Sequence, residues 1–356
     1  MRSFGFGFSY WKRGHIKRFF AQLQKEIRFC SSLDDALKKG LSPSDEIYIW
    51  GMRKFDEVEK WAGENGVLIK RVEDGFIRSV TLGSDLTKAY SLVIDKRGIY
   101  FDATKESDLE WIYNNYIFDE KLLNRAYSVR KFLIERKISK YNILKDKKLK
   151  FNSDKKITLV IGQVEDDASI IYGGFGMKNI DLLKKVFEKR GDEFIVYKPH
   201  PDVVAGNRKG YIPDDEVLKY ADTVIKDISL PSLLDVSDEV HTITSLSGFE
   251  AIIRNKPVYT YGMPFYAGWG LSEDERKCLR RKRKLSINEL IAGAYILYPH
   301  YISPLSGKLC GIETFLKEME SIKKRYHTDT LFRCFTDFKS FVSRKSLLAL
   351  RKISGE

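Results

Sequence analysis

Three stretches of this chain set reactive side chains where an α/β fold presents its ligands. SLSGFEAII (245–253) follows an apolar-alternating run and opens with Ser245, Ser247 and Gly248. Strand, glycine turn and helix N-terminus is the arrangement that offers backbone N–H groups to a phosphate. Glu250, just inside that helix, is placed to accept from two ribose hydroxyls. Taken alone the stretch also reads as an ordinary βα turn with a capping serine. In YKPHPD (197–202), His200 follows a buried-type strand, flanked by Lys198 and by Pro199 and Pro201, which fix the backbone. It reads as a phosphate ligand, with Lys198 adding charge. Carboxylates gather at two further strand ends: Glu73 and Asp74 after VLIKRV, and Asp166 and Asp167 after ITLVIGQ. Any one of these acids also suits a turn or cap. Gln163, beside the second pair, is a candidate for a sugar carboxylate or a base.

The elements that must position these groups alternate as strand and helix. EIYIWG, VLIKRVED and SLVIDKRGIYFDA (91–103) predict strands in the first part, the last of them a pair, with FDEVEKWAGENG as a helix. Residues 105–150 predict helix with a lysine-rich connection. ITLVIG (157–162) is nearly continuous apolar, as strands buried on both faces of a parallel sheet are. MKNIDLLKKVFEKRG, EFIVYKPHP and VLKYADTVIKD continue the alternation, so each half predicts a doubly wound sheet. The expected division is 1–150, 151–310 and a helical region at 311–356.

Composition narrows the partners. With 356 residues and 43% hydrophobic content the chain can bury two ordinary cores. Its net charge of +13 points to an anionic partner. Cys30, Cys278, Cys310 and Cys334 are scattered without a CxxC, which suits a reducing cytoplasm and neither metal nor disulfide framework. No stretch approaches the ~20 apolar residues of a membrane span. Three basic segments suit an anionic membrane surface: the aromatic arm 1–30, RKCLRRKRK (276–284) and the C-terminal SFVSRKSLLALRKISGE. For the arm, an N-terminal helix packed by its aromatics is the plainer reading. A nucleic-acid partner lacks support, because no reader motif is present and the basic run carries no interleaved aromatics.

PFYAGWGL (264–271) after SGFEA, together with RVEDGFIRSVTLGSDL (71–86), IGQVEDDASIIYGG (161–174) and the HP pair of 200–201, resembles the capsule polysaccharide β-Kdo transferases of the KpsC type. The EDG, HP and paired-serine elements are also similar to those of bacterial CMP-sialic acid transferases. The first resemblance implies a GT-B-like fold, two Rossmann-like domains facing a central cleft, and a retaining enzyme using CMP-β-Kdo. The larger capsule enzymes carry two such modules in tandem; this chain has room for one. Retention is most simply two displacements, one carboxylate attacking the donor carbon and a second group taking the acceptor proton. The family pattern makes Asp167 the nucleophile, with Asp166 second, and Glu73 or Asp74 the acid/base. His200, Lys198, Pro201, Ser245, Ser247, Gly248, Gln163 and Glu250 then line the donor nucleotide-sugar, with His200 assisting CMP departure. A single phosphate and the absence of a DxD-type motif predict no cofactor and no essential metal. The acceptor is a lipid-linked or oligosaccharide glycan containing Kdo or another acidic sugar. The enzyme is expected in the cytoplasm, peripheral at the inner face of the inner membrane, with other capsule assembly proteins as partners. An inverting transferase of the sialic acid type, using the Asp of EDG as base, and a non-catalytic export scaffold are the competing readings.

Overall fold

The computed structural model describes residues 1–80, 87–142, 144, 146–206 and 208–338. The chain forms two compact units, Met1–Ile99 with the chain from Ile296 onward, and Tyr100–Tyr295. Strands β1 (Ser3–Phe6), β2 (Ile27–Cys30), β3 (Glu46–Trp50), β4 (Ile69–Asp74) and β5 (Ser91–Asp95) open the first unit, joined by helices α1 (Tyr10–Gln22), α2 (Leu33–Lys38) and α3 (Asp56–Glu64). The N-terminal arm 1–30 is therefore two parallel strands joined by a helix, in place of the single helix expected. SFGF is too short and too aromatic for its pleat to show in the sequence. Phe4 and Phe6 face α2 and α3, while Phe8, Phe19 and Phe20 pack on the other face with Tyr48 and Trp50. The predicted strand pair at 91–103 yields β5 alone. Asp95 instead caps the following turn by accepting from the N–H groups of Arg97 and Gly98.

The second unit begins with α4 (Asp108–Asn115) and α5 (Glu120–Glu135). Both belong here because Tyr113 donates to Leu290 O at 2.8 Å and Arg130 to Ile253 O at 2.6 Å. Its sheet consists of β6 (Ile157–Ile161), β7 (Phe194–Lys198), β8 (Thr223–Val224), β9 (Glu239–Thr242), β10 (Val258–Thr260) and β11 (Glu273–Asp274). The helices between them are α6 (Ala168–Gly173), α7 (Asn179–Glu188), α8 (Pro201–Val204), α9 (Asp214–Val217), α10 (Leu230–Val236) and α11 (Leu246–Ile252). Helix α12 (Ile287–Ile291) runs into a π-helical turn, Ala292–Leu297. The strand order is β11-β10-β9-β6-β7-β8, parallel throughout, so the winding reverses beside β6. Such a reversal is where open α/β sheets bind ligands, outside the carboxyl ends of the strands. Continuous apolar β6, fully buried at all five positions, needs helices on both faces and has them.

Strands β12 (Pro299–Ile302) and β13 (Leu309–Cys310) and helix α13 (Ile312–Thr328) complete the first unit. Its sheet runs β13-β12-β5-β4-β3-β1-β2. The four strands β1 to β4 are parallel; β5, β12 and β13 add an antiparallel edge. The units thus divide near residues 100 and 295 in place of the expected 150 and 310, because β12 pairs with β5. Residues 81–86, at the end of the 71–86 stretch, and the basic tail 339–356 lie outside the described residues. No helix among the described residues is long and apolar enough to cross a membrane.

Candidate functional site

Parallel register brings three strand ends of the second unit side by side. Ile161 pairs with Lys198, and Val160 with His241. Two or three residues further on, the loops carrying Gln163–Asp167, His200 and Thr244–Ser247 lie next to one another.

Asp167 is the N-cap of α6. Its Oδ1 accepts from the Ser169 N–H at 3.0 Å and the Ser169 hydroxyl at 2.8 Å. Its second oxygen has no hydrogen bond among the described residues, and the cap orients the carboxylate. Asp166 points to solvent and pairs with Arg208, whose Nε and Nη2 approach Asp166 Oδ1 at 3.2 and 3.1 Å. Gln163 is committed inside the unit. Its Oε1 accepts from the Thr244 N–H at 2.8 Å, and its Nε2 donates to Thr244 Oγ1 at 3.0 Å. It ties the loop after β6 to the loop after β9, where the sequence suggested an amide facing a sugar carboxylate or a base.

At the end of β7, His200 caps α8, its Nδ1 accepting from the Asp202 N–H at 3.1 Å, with Pro201 as the first helical residue. That bond fixes the tautomer and leaves Nε2 as the hydrogen-bearing nitrogen. About 27% of the side chain is exposed, yet burial dominates and holds the imidazole below its ordinary 6.5, opposed by Asp202 and reinforced by Lys140. His200 is a neutral donor near pH 7. Lys198 is buried and donates to Lys226 O at 2.8 Å, and burial pushes its pKa down to about 8.

At the end of β9, Ser245 caps α11, accepting from the Ser247 N–H at 3.1 Å and donating to Ser247 Oγ at 3.0 Å. Gly248 is required by packing: a Cβ there would lie 2.2 Å from Tyr266 Oη, which donates to Ser245 O at 2.5 Å. Glu250 is fully buried rather than displayed, and burial raises its pKa. Its Oε1 accepts from the Ser139 hydroxyl at 2.7 Å and the Lys140 N–H at 3.3 Å, while Oε2 has no hydrogen-bond partner among the described residues.

The aromatic turn 264–271 is core. Trp269 is fully buried, donates to Phe265 O at 2.9 Å and packs edge-on to Tyr113, while Phe265 and Tyr266 stack around Phe249. Arg281 pins the turn from below, donating to Pro264 O and Ala267 O at 2.5 and 2.6 Å and pairing with Glu110 at 3.1 Å. The basic run 276–284 is therefore partly internal. Arg280 also pairs with Glu110, and Arg283 with Glu289.

In the first unit, Glu73 and Asp74 end β4 as predicted. Asp74 accepts from Arg78 Nε at 2.7 Å and lies 3.7 Å from Lys12 Nζ, which sits 3.8 Å above the Trp50 ring. Arg78 is buried and also donates to Thr87 O at 2.7 Å, so it is an internal strut. Sequence reasoning passed over Arg208, Lys140, Ser139 and Glu110. All four act through contacts distant in sequence, and no local motif marks them. Among the described residues no group of His, Cys, Asp and Glu converges as a metal-ligating set.

Comparison with known proteins gives this geometry its context. Residues 45–301 match the family described as capsule polysaccharide biosynthesis protein. A capsule polysaccharide modification protein, LipA of Neisseria meningitidis, is 44% identical over 309 residues, 86% of this chain and 44% of LipA. The chain thus spans less than half the length of that relative. The solved structure of the Thermosulfurimonas dismutans KpsC β Kdo 2,7 transferase is 39% identical with a TM-score of 0.75, covering 91% of this chain and all of that one. The β Kdo 2,4 transferase of the same organism's KpsC is 31% identical with a TM-score of 0.76, over 89% and 97%. A family match over most of its length, and whole-chain likeness to both KpsC modules at 39% and 31% identity, show that this chain belongs to the capsule polysaccharide biosynthesis protein family, in its KpsC-type branch.

Proposed function

We propose that the chain is a retaining glycosyltransferase that moves β-Kdo from CMP-β-Kdo to a saccharide acceptor in capsule or cell-surface polysaccharide synthesis. The observation that carries this reading is the convergence, in one parallel register, of the Asp166–Asp167 pair, His200 and the Ser245–Gly248 turn at the point where the winding reverses. The chemistry proceeds in two inversions. The unbonded oxygen of Asp167 attacks the anomeric carbon, the carbon–oxygen bond to phosphate breaks, and CMP leaves with the electron pair. His200 donates from Nε2 to that departing phosphate. The Ser245 and Ser247 hydroxyls stand at the same group, with Lys198 and Pro201 shaping the loop, while the Gly248 N–H expected beside them is bonded to Ser245 O at 3.0 Å. An acceptor hydroxyl then attacks the glycosyl ester from the opposite face, restoring the original configuration and freeing the Asp167 carboxylate. Glu73 or Asp74 takes the hydroxyl proton. Glu250 Oε2, buried with no hydrogen-bond partner among the described residues, is an acceptor that a ribose hydroxyl would satisfy.

No metal or cofactor enters this scheme. The acceptor is a lipid-linked or Kdo-containing glycan, and the tail's Lys, Arg and Leu residues suit an anionic membrane surface near it. The test is CMP release from CMP-β-Kdo together with intact-mass detection of a glycosyl-enzyme. Asp167→Asn is expected to lose both while still binding CMP. A near-normal Asp167→Asn beside a dead Asp166→Asn would move the nucleophile by one residue. Activity in both variants would end the double-displacement scheme.

A further inference from the structure

The donor in the reading above carries two anions, a phosphate and the sugar carboxylate. The sequence offered Gln163 for the second, and the structure commits it elsewhere, as it does the buried Arg78. Gln163 is bonded at both ends to Thr244, and Arg78 is buried against Asp74 and Thr87 O. Lys198 is buried against Lys226 O, and His200 is uncharged near neutrality.

One cation stands differently. Arg208 touches Asp166 by a single edge of its guanidinium, Nε and Nη2 on Oδ1 at 3.2 and 3.1 Å, with Nη2 also 3.4 Å from Asp166 O. Nη1 has no hydrogen bond among the described residues. About 37% of the Arg208 side chain and 45% of Asp166 are open to solvent, so a ligand can reach them. The loop that carries Arg208 is docked firmly on the acidic loop. Glu165 N–H donates to Lys209 O at 3.1 Å, and Asn179 Nδ2 to Gly210 O at 3.0 Å. Gly210 has φ +120, and a Cβ there would fall 2.6 Å from Gln163 O, so the backbones meet closely only without a side chain. A planar guanidinium fixed by one edge keeps a second edge for another carboxylate.

We propose that Arg208 recognises the carboxylate of the donor sugar, using the Nη1 side left open by Asp166, and so selects acidic 2-keto sugars over neutral ones. This inference rests on the transferase reading, and the experiment separates the two. CMP lacks the sugar carboxylate; CMP-β-Kdo has it. Arg208→Met is expected to raise the KM for CMP-β-Kdo about tenfold or more, with the inhibition constant of CMP within about twofold of wild type. Arg208→Lys, which keeps the charge but not the fork, should recover part of the loss, and matched melting curves would exclude misfolding. A parallel loss of CMP binding, an unchanged donor KM, or a fall confined to kcat would overturn the assignment, the last meaning that Arg208 only holds Asp166. If the wild-type protein neither binds CMP nor releases it from CMP-β-Kdo, the transferase reading fails and this inference fails with it.

Discussion

Arg281 separates two meanings of the basic run 276–284. As a surface anchor its loss would cost membrane binding; as the pin beneath the aromatic turn its loss would cost the fold. Its side chain is 3% exposed and Glu110 is 4% exposed, with 3.1 Å between them. Arg281→Met removes one partner of a buried charged pair, takes the guanidinium donor from the Ala267 carbonyl at 2.6 Å, and leaves Pro264 O, now bonded by Arg281 at 2.5 Å, with only the Ala267 N–H at 3.1 Å. Arg280 remains on Glu110 at 2.7 Å, so the carboxylate keeps one guanidinium. Breaking such a pair from one side costs roughly 3–5 kcal/mol. For a unit of this size that lowers the midpoint of its thermal transition by about 6–20 °C. Lys282→Ala, exposed in the same run, should stay within about 0.5 kcal/mol of wild type. Circular dichroism melting of both variants, beside sedimentation with anionic vesicles, is the assay. An Arg281→Met protein that melts like wild type but no longer sediments would refute the structural assignment.

Other outcomes follow from the same packing. Gly248→Ala drives a Cβ into Tyr266 Oη at 2.2 Å and should destabilise by roughly 1–3 kcal/mol, with Tyr266→Phe in the same chain recovering part of it; simple additivity in denaturant unfolding would disprove the clash. Lys198 binds its proton up to 10.5 in the unfolded chain but only to about 8 in the folded one. The unfolded state therefore holds more protons between those values, and stability gains with rising pH across that window. Lys198→Met should lack this component, and equal pH slopes in the two proteins would contradict the burial of Lys198. Truncation after Phe338 should reduce salt-sensitive binding to anionic vesicles while sparing transfer to a short soluble acceptor. Retained vesicle binding by the truncated protein would return the net charge of +13 to the nucleotide and the acidic glycan.

The sequence by itself determined where reactive groups could stand. Apolar runs such as ITLVI and FIVY are strands wherever they pack, and Asp166, Asp167, His200 and Ser245 follow their strands within a few residues. Capping residues act through bonds two or three positions away, so the roles of Asp167, His200 and Ser245 at helix starts are local and legible. Tertiary structure decided what each polar group is spent on. Gln163 and Arg78 look like ligand-binding side chains until pairing across 81 residues and the burial of the β4 end commit them elsewhere. Arg208 looks like an ordinary surface charge until the loop at Gly210 docks it on Asp166, 42 residues away. The turn PFYAGWG carries a family resemblance in the sequence, yet only the fold shows it closed from below by Arg281 and Glu110, 171 residues apart. Burial and charge pairing are sums over neighbours that the chain brings together only on folding, and neither periodicity nor spacing encodes them.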